Sequence, residues 1–245
     1  MLALAFLSSL ARLSPMQLSI VLPCRNEEAN IEHVVRDCES FLRSRNLDGE
    51  VIVVNDGSTD GTRTKAEELS REFSNVKIIS HDVNQGYGAA IRTGVDHAAG
   101  DLVCFMDSDG QFHAEDIGTL MDHLGTADFI SGIRIKRADA WNRKLNACLY
   151  GTLVRLVLNV RVKDLNCGLK LFKRSVWSDI RPVNATGALF NAEVFLRLRR
   201  KGFTLAETGV QHYPRLAGEQ TGARLEVIFR MFKELAALRF QTKGQ

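Results

Sequence analysis

A rhythm in the first half of this chain constrains its fold more than any other feature: short apolar runs rich in β-branched residues alternate with longer stretches of helical period. LSIVLP (Leu18 to Pro23), EVIVVN (Glu50 to Asn55), VKIIS (Val76 to Ser80), LVCFMD (Leu102 to Asp107) and DFISG (Asp128 to Gly132) are apolar on both faces, as strands covered by helices must be. Between them, Glu28 to Arg45, Thr62 to Phe73, Gly88 to Ala99 and Ala114 to Leu124 carry helical periodicity and good helix formers. Repeated strand–helix units predict an α/β fold with an open, mostly parallel sheet flanked by helices. Such a sheet binds ligands in the crevice outside the carboxyl ends of its strands, so the residues just after each strand are the first place to search for function.

The second half is less regular. Its pattern predicts a helix from Trp141 to Val160, a hairpin-like DLNCGLKLF (Asp164 to Phe172), a helix from Phe190 to Lys201 and a strand around Phe203 to Glu207. By order alone, this half covers the sheet's mouth and shapes an acceptor site. A chain of 245 residues, 45% hydrophobic and 25% charged, can bury one sizeable core. Its 32 basic and 29 acidic residues are too near balance for general nucleic-acid binding, so an anionic partner must be met by a local patch. Cys24, Cys38, Cys104, Cys148 and Cys167 are odd in number and mostly sit in apolar runs, without disulfide-framework or zinc spacing. They read as buried thiols of a reducing, cytoplasmic compartment.

Residues 1–17 read as an extension, 18–222 as the main domain and 223–245 as an amphipathic helix and tail. The opening MLALAFLSSLARLSPMQ is too short to cross a bilayer and lacks the basic start of a signal peptide. It is either a surface anchor or the product of an upstream start codon, since Met16 directly precedes the first strand. In Ala223 to Phe240, Leu225, Ile228, Phe229, Phe232 and Leu235 recur at helical spacing among Arg224, Arg230, Lys233 and Arg239. A helix of this kind lies on an anionic membrane surface or packs on the core or a partner subunit, and periodicity does not separate the two.

Strand ends carry the chemistry. PCRNEE (Pro23 to Glu28), NDGSTDGT (Asn55 to Thr62), NQGYGAAIRTG (Asn84 to Gly94) and DSDGQ (Asp107 to Gln111) follow the first four strands. Asp107 and Asp109 would repel at the end of a buried strand unless a cation lay between them, although the same residues also suit a plain turn. Magnesium or manganese prefers hard oxygen ligands and commonly binds one or two carboxylates plus substrate phosphates, so Asp109 and Gln111 fit as protein ligands, completed by a diphosphate. Asp56 reads as an acceptor for a base or ribose: Asp60 or Ser58 can cap the next helix, and Gly57 lets the chain turn. GYGAAIRTG resembles a dinucleotide fingerprint but follows the third strand rather than the first, which weakens a nicotinamide reading and points to glycines serving close helix packing.

Taken in order, PCRNEE, NDGSTDGT, GYGAAIRTG, DSDGQ and SGIR (Ser131 to Arg134) resemble the family 2 glycosyltransferases of GT-A fold, most closely their dolichyl- and polyprenyl-phosphate mannose and glucose synthases. The resemblance runs from Leu18 to Phe240. It implies nucleotide contacts at Pro23, Arg25, Glu27, Val54 and Asp56, and donor or metal contacts at Asp107, Ser108, Asp109 and Gln111, with Mg2+ or Mn2+ as cofactor. It implies phosphate contacts at Arg134 and, within HYPRLAGEQTG (His212 to Gly222), at Arg215. DLNCGLKLFKR is similar to a segment of the glucosyl members. Three departures stand out: Asn55 replaces an aspartate, Asn191 replaces the aspartate two before Glu193, and Thr221 replaces a lysine for which Arg224 is a candidate substitute.

The resemblance implies an inverting single displacement from a nucleotide-diphosphate sugar onto a polyprenyl phosphate, at the cytosolic membrane face, by peripheral contact or through an anchoring partner subunit. A phosphate acceptor is already anionic, which tolerates Asn191. Among Arg143, Lys144, Arg155, Arg161, Lys163, Lys173 and Arg174, one or two would hold its phosphate. Two alternatives remain: a hydroxyl acceptor in polysaccharide or glycolipid assembly, with Glu193 or Asp164 as base, and a non-catalytic nucleotide-sugar-binding protein.

Overall fold

The computed structural model describes residues 17–135, 141–183, 185, 187 and 189–215, with only the course of the chain over 141–148. In order these form β1 (Leu18–Cys24), α1 (Ile31–Ser44), β2 (Gly49–Asp56), α2 (Thr62–Glu72), β3 (Val76–His81), α3 (Tyr87–Asp96), β4 (Leu102–Met106), α4 (Glu115–Met121), β5 (Phe129–Ile135), α5 (Trp141–Leu158), β6 (Leu169–Lys173), a 3-10 turn (Arg174–Val176), α6 (Trp177–Ile180), α7 (Phe190–Lys201) and β7 (Leu205–Gln211). All seven strands join one sheet in the order β3-β2-β1-β4-β6-β5-β7.

β1, β2, β3 and β4 run parallel, β6 runs antiparallel to both β4 and β5, and β7 is parallel to β5. Strand alternation sends side chains to two cores. Leu18, Ile20, Leu22, Val51, Val53, Cys104 and Met106 meet α1, α2 and α4 on one face, while Val21, Ile52, Val54, Val103 and Phe105 meet α3, α5 and α7 on the other. Each such side chain, removed wholly from water, contributes roughly 1.5–3 kcal/mol, so double coverage selects the continuous apolar runs of the sequence. Gly94 lets α3 sit directly on the sheet, since a Cβ there would lie 2.2 Å from Val21 Cγ1; Gly88 does the same against Phe190 at 2.7 Å. The expected packing role of the GYGAAIRTG glycines is what they perform.

The five expected strands and four helices of the first half form, with ends shifted by a few residues. One expectation fails in the second half: Asp164 to Phe172 is no hairpin. Asp164 to Gly168 is a turn that leads into the single strand β6, which pairs with β4 and β5 rather than with itself. The expected strand around Phe203 to Glu207 begins later and runs on to Gln211. Cys24, Cys38, Cys104 and Cys167 are free and buried. The side chains of Cys148, Arg143 and Lys144, residues 1–16 of the expected extension, and everything from residue 216 on, including Thr221, Arg224 and the amphipathic stretch 223–240, lie outside the described residues. No helix among the described residues is long and apolar enough to cross a membrane.

Candidate active site

The carboxyl ends of β1, β2 and β4 lie side by side, and short polar loops knit them together. After β1, Asn26 adopts φ 56° and its Oδ1 accepts from the Thr59 N–H at 2.9 Å, while its own N–H donates to Ser58 Oγ at 3.0 Å. Glu28 accepts from the Gly61 N–H, and Asp60 from the N–H of Thr62, where α2 begins. Gly61 is the residue at the N-cap, and Asp60, just before it, supplies the acceptor for the first helical N–H. Asn55 explains its own departure from the acidic pattern: its Oδ1 accepts from the Ser58 N–H at 3.2 Å while its Nδ2 donates to Ser80 Oγ at 3.3 Å, a bond no carboxylate can make. Gly57, at φ 61°, turns so closely that a Cβ would lie 2.5 Å from Asn84 N.

Beyond β4 the chain presents its acidic pair. Ser108 Oγ donates to the Pro23 carbonyl at 2.7 Å and so pins this loop to the end of β1. Asp107 faces the second half of the chain: its Oδ1 accepts from the Tyr87 hydroxyl at 2.8 Å, its N–H donates to the Gly168 carbonyl, and its carboxylate lies where a Gly168 Cβ would stand. Burial first, and then the Asp109 charge, push its carboxyl up to about 6, against the Tyr87 hydroxyl, Lys170 and Arg134. Asp109 is turned the other way. Its Oδ1 accepts from the Gln111 N–H at 3.1 Å and its Oδ2 from Arg215 Nη2 at 2.5 Å.

Arg215 reaches this point on a strap, His212 to Arg215, that leaves the end of β7. Tyr213 N–H donates to the Gln111 carbonyl at 3.0 Å and Gln111 Nε2 donates back to the Tyr213 carbonyl at 3.1 Å. Edge-on contacts of His212 with Phe112 and of Tyr213 with His113 add to the clamp. Nη1 of Arg215 is also 3.7 Å from Glu27 Oε1. Burial pushes the Glu27 carboxyl up to about 7, with Asn30 and Arg215 opposing and both aspartates adding. Glu27, Asp107, Asp109, Gln111 and Arg215, all singled out from the sequence, are therefore gathered at the mouth of β1 and β4.

Other residues are engaged elsewhere. Asp56 is not left free: its buried carboxylate accepts from His81 Nδ1 at 2.7 Å and from the N–H groups of Gln85 and Gly86 at 2.8 Å each, which fastens the β3–α3 loop to β2. Val54 lies in the core and Arg25 is exposed. Arg134 forks onto Asp164 through Nε at 2.7 Å and Nη2 at 2.8 Å. That pairing occupies both the expected phosphate ligand and one of the two candidate bases. Glu193, the other, is 1% exposed and accepts from the N–H groups of Val183 and Ala185 at 2.9 Å each and from Arg197 Nε at 3.0 Å. A buried carboxylate with both oxygens committed to backbone donors anchors a loop, and the structure gives Glu193 that task rather than proton abstraction. Asn191, two residues before it, donates from Nδ2 to Asn166 Oδ1 at 3.5 Å.

Residues 19–181 match the family model described as Glycosyl transferase family 2. The chain belongs to glycosyl transferase family 2. It is 30% identical to a dolichyl-phosphate beta-glucosyltransferase of Trichomonas vaginalis over 79% of this chain and 65% of the relative. It is 29% identical to an undecaprenyl-phosphate 4-deoxy-4-formamido-L-arabinose transferase of Pseudomonas paraeruginosa over 87% of this chain and 62% of that protein. The chain thus spans slightly under two thirds of the length of either relative. Its fold is similar to that of glucosyl-3-phosphoglycerate synthase from Mycobacterium tuberculosis in complex with Mn2+ and uridine-diphosphate-glucose, with TM-score 0.67, 22% identity, and coverage of 91% of this chain and 79% of that one. The sheet is the GT-A arrangement expected from the motifs.

Within this family 2 chain, the donor set at β4 fits a hard divalent cation. Asp109 already has a cation against its carboxylate in the Arg215 guanidinium, and Gln111, fixed by its Nε2 bond, offers a carbonyl oxygen. Among the described residues no group of three or more His, Cys, Asp and Glu side chains is gathered to hold a metal, so a cation here would need ligands from a bound phosphate as well.

Two residues of the site escaped sequence reasoning. Tyr87 looked like part of a glycine-rich packing segment, and only the folded placement of the start of α3 shows that its hydroxyl reaches Asp107, just past β4. Lys170, fully buried in β6, donates from Nζ to the Cys167 carbonyl and lies over the Phe105 and Phe195 rings at 5.3 and 5.6 Å. A lysine inside an apolar strand run was the available signal for it.

Proposed function

We propose that this chain is an inverting glycosyltransferase that moves a hexose from a nucleotide-diphosphate sugar onto a polyprenyl (dolichyl-type) phosphate at the cytosolic membrane face, with Mg2+ or Mn2+. Family membership supports glycosyl transfer, and the names of the two relatives, which act on dolichyl and undecaprenyl phosphate, support a lipid phosphate as acceptor.

The observation that carries the acceptor class is the state of the second half's carboxylates. Glu193 is committed to two backbone N–H groups and Arg197, Asp164 to Arg134, and position 191 is an amide. A sugar hydroxyl needs a base to become a nucleophile, whereas a phosphate is already anionic at neutral pH, so the commitment of these three described positions suits the phosphate. The same locking favours a single displacement with inversion, because a double displacement needs a protein nucleophile on the sugar's far side.

The residues gathered at the mouth of β1 and β4 then take up the donor. Pro23, Arg25 and Glu27 border the nucleotide, with Val54 and Asp56 shaping that side through the β2 and β3–α3 loops. Asp109 and Gln111 would hold the divalent cation, with Asp107 and Ser108 beside them; when bound, it supplies Lewis-acid neutralisation of the departing diphosphate. Arg215 adds a tethered positive charge at the same place, and Arg134, oriented by Asp164, adds a second beside Asp107. Tyr87 keeps the Asp107 carboxylate from rotating, and the strap helps exclude water from the donor.

The test is a transfer screen with UDP- and GDP-hexoses, Mn2+ or Mg2+, and either a polyprenyl phosphate or a sugar acceptor. The expected product is a lipid-linked sugar phosphate of inverted anomeric configuration, formed only with the divalent cation. A product without phosphate would move the chain to hydroxyl acceptors. Donor binding without transfer to any lipid would make it a nucleotide-sugar-binding protein.

A further inference from the structure

Arg215 holds more than a phosphate ligand needs. Its Nη2 lies on Asp109 Oδ2 and its Nη1 is 3.7 Å from Glu27, so the guanidinium spans the acids at the ends of β4 and β1. Its Nε is buried and has no hydrogen-bond partner among the described residues. A buried donor without an acceptor is costly, and here it belongs to a planar fork suited to a phosphoryl group. Asp109 Oδ1 accepts from the Gln111 N–H, and Oδ2 is the oxygen that Arg215 covers, so a cation gripping this carboxylate meets the guanidinium there. A guanidinium and a divalent cation cannot both lie against that oxygen without strong repulsion. The chain two residues before Arg215 is fixed by the reciprocal Tyr213–Gln111 bonds, so the side chain can swing while its backbone stays anchored.

We propose that Arg215 is a tethered counter-cation: it neutralises Asp109 in the ligand-free protein, yields that carboxylate to the divalent cation, and turns its fork, with the orphaned Nε, onto the donor's diphosphate. The inference deepens the proposed function and rests on the donor and metal assigned there. Metal alone must evict Arg215 and binds weakly. A nucleoside diphosphate gives Arg215 a new partner and removes the competitor, so metal and nucleotide strengthen one another's binding through this one side chain.

The experiment measures Mn2+ binding to the full chain by calorimetry and by the spin-resonance signal of free Mn2+, with and without saturating UDP or GDP. Arg215→Met is expected to bind Mn2+ alone about tenfold more tightly than the parent, yet to bind it less tightly once the nucleotide is present, a reversal of sign that simple loosening of the strap does not produce. Arg215→Lys keeps the charge but not the fork, and is expected to match the parent for Mn2+ alone while losing most of the nucleotide's gain. Circular dichroism and thermal melts confirm that both variants are folded. Unchanged or weaker Mn2+ binding by folded Arg215→Met overturns the inference, as does an undiminished nucleotide effect, and a normal transfer screen would leave the proposed function standing in either case. Absence of Mn2+ binding to the parent with nucleotide present would remove the metal assignment and this inference together.

Discussion

The two halves of the sheet differ in whether any acids are left over from building. On the β1–β4 side, Asn26, Asn55 and Ser108 share the structural bonding with Glu28, Asp56 and Asp60, while Glu27 and Asp109 are left around one arginine. On the β5–β7 side, acids are consumed in building: Arg134 with Asp164, Glu193 with Arg197 and two backbone N–H groups, Asp128 with Lys173 and Thr204. Chemistry is therefore expected from the first set and stability from the second, although both contain carboxylates of the same type.

The hardest test of that contrast is Asp109→Ala. Divalent-dependent transfer is expected to fall at least about a hundredfold, since the proposed role puts the group where charge develops on the leaving diphosphate. The melting temperature should barely move, and near-parental turnover would break the contrast. Glu193→Gln should behave in reverse. An amide facing two N–H donors and Arg197 loses charge-assisted bonds in a buried place, and urea unfolding should show a loss of roughly 2–4 kcal/mol. Turnover of the protein that remains folded should stay within a few-fold of the parent, whereas a collapse of kcat without a stability loss would return Glu193 to the role of base.

The smallest effect sharpens the comparison by pH. Hydrogen bonds from Lys173, then from Thr204, hold the Asp128 carboxyl down from 3.8 to about 2. A carboxyl depressed in the folded state stabilises the fold above its unfolded value and loses that contribution as pH falls through the folded one. Parental stability should therefore drop between about pH 4 and pH 2 by an amount that Asp128→Asn no longer shows. At neutral pH the substitution should cost about 0.5–1 kcal/mol, because water screens this partly exposed pair. A variant with the parent's acid limb would contradict the assignment.

The sequence was legible where burial is simple. Strands covered on both faces must be apolar throughout, so β1, β2 and β4 announced themselves, and the polar residues after them could be marked as a candidate site by position alone. What could not be read was pairing across distance. Glu193 and Asp164 looked like candidate bases because their partners, Ala185 and Val183 in one case and Arg134 in the other, are fixed by the fold and not by spacing. The partners of Asp56 went unseen for the same reason, since His81, Gln85 and Gly86 reach it only when β3 is laid beside β2. β6 was misread as half of a hairpin because an antiparallel strand inserted between two distant neighbours leaves no local turn signal.

That reversed strand has a consequence for how such a protein can change. In a wholly parallel sheet, the segment entering a strand lies at the rim remote from the crevice, but Leu169 of β6 is level with Met106 of β4, so the lead-in from Asp164 to Gly168 opens directly beside the acids. Insertions or replacements between Asp164, which holds Arg134, and Gly168, which bonds the Asp107 N–H, would therefore reshape the lining beside the acids, while the loops after β1, β2 and β3 stay as they are.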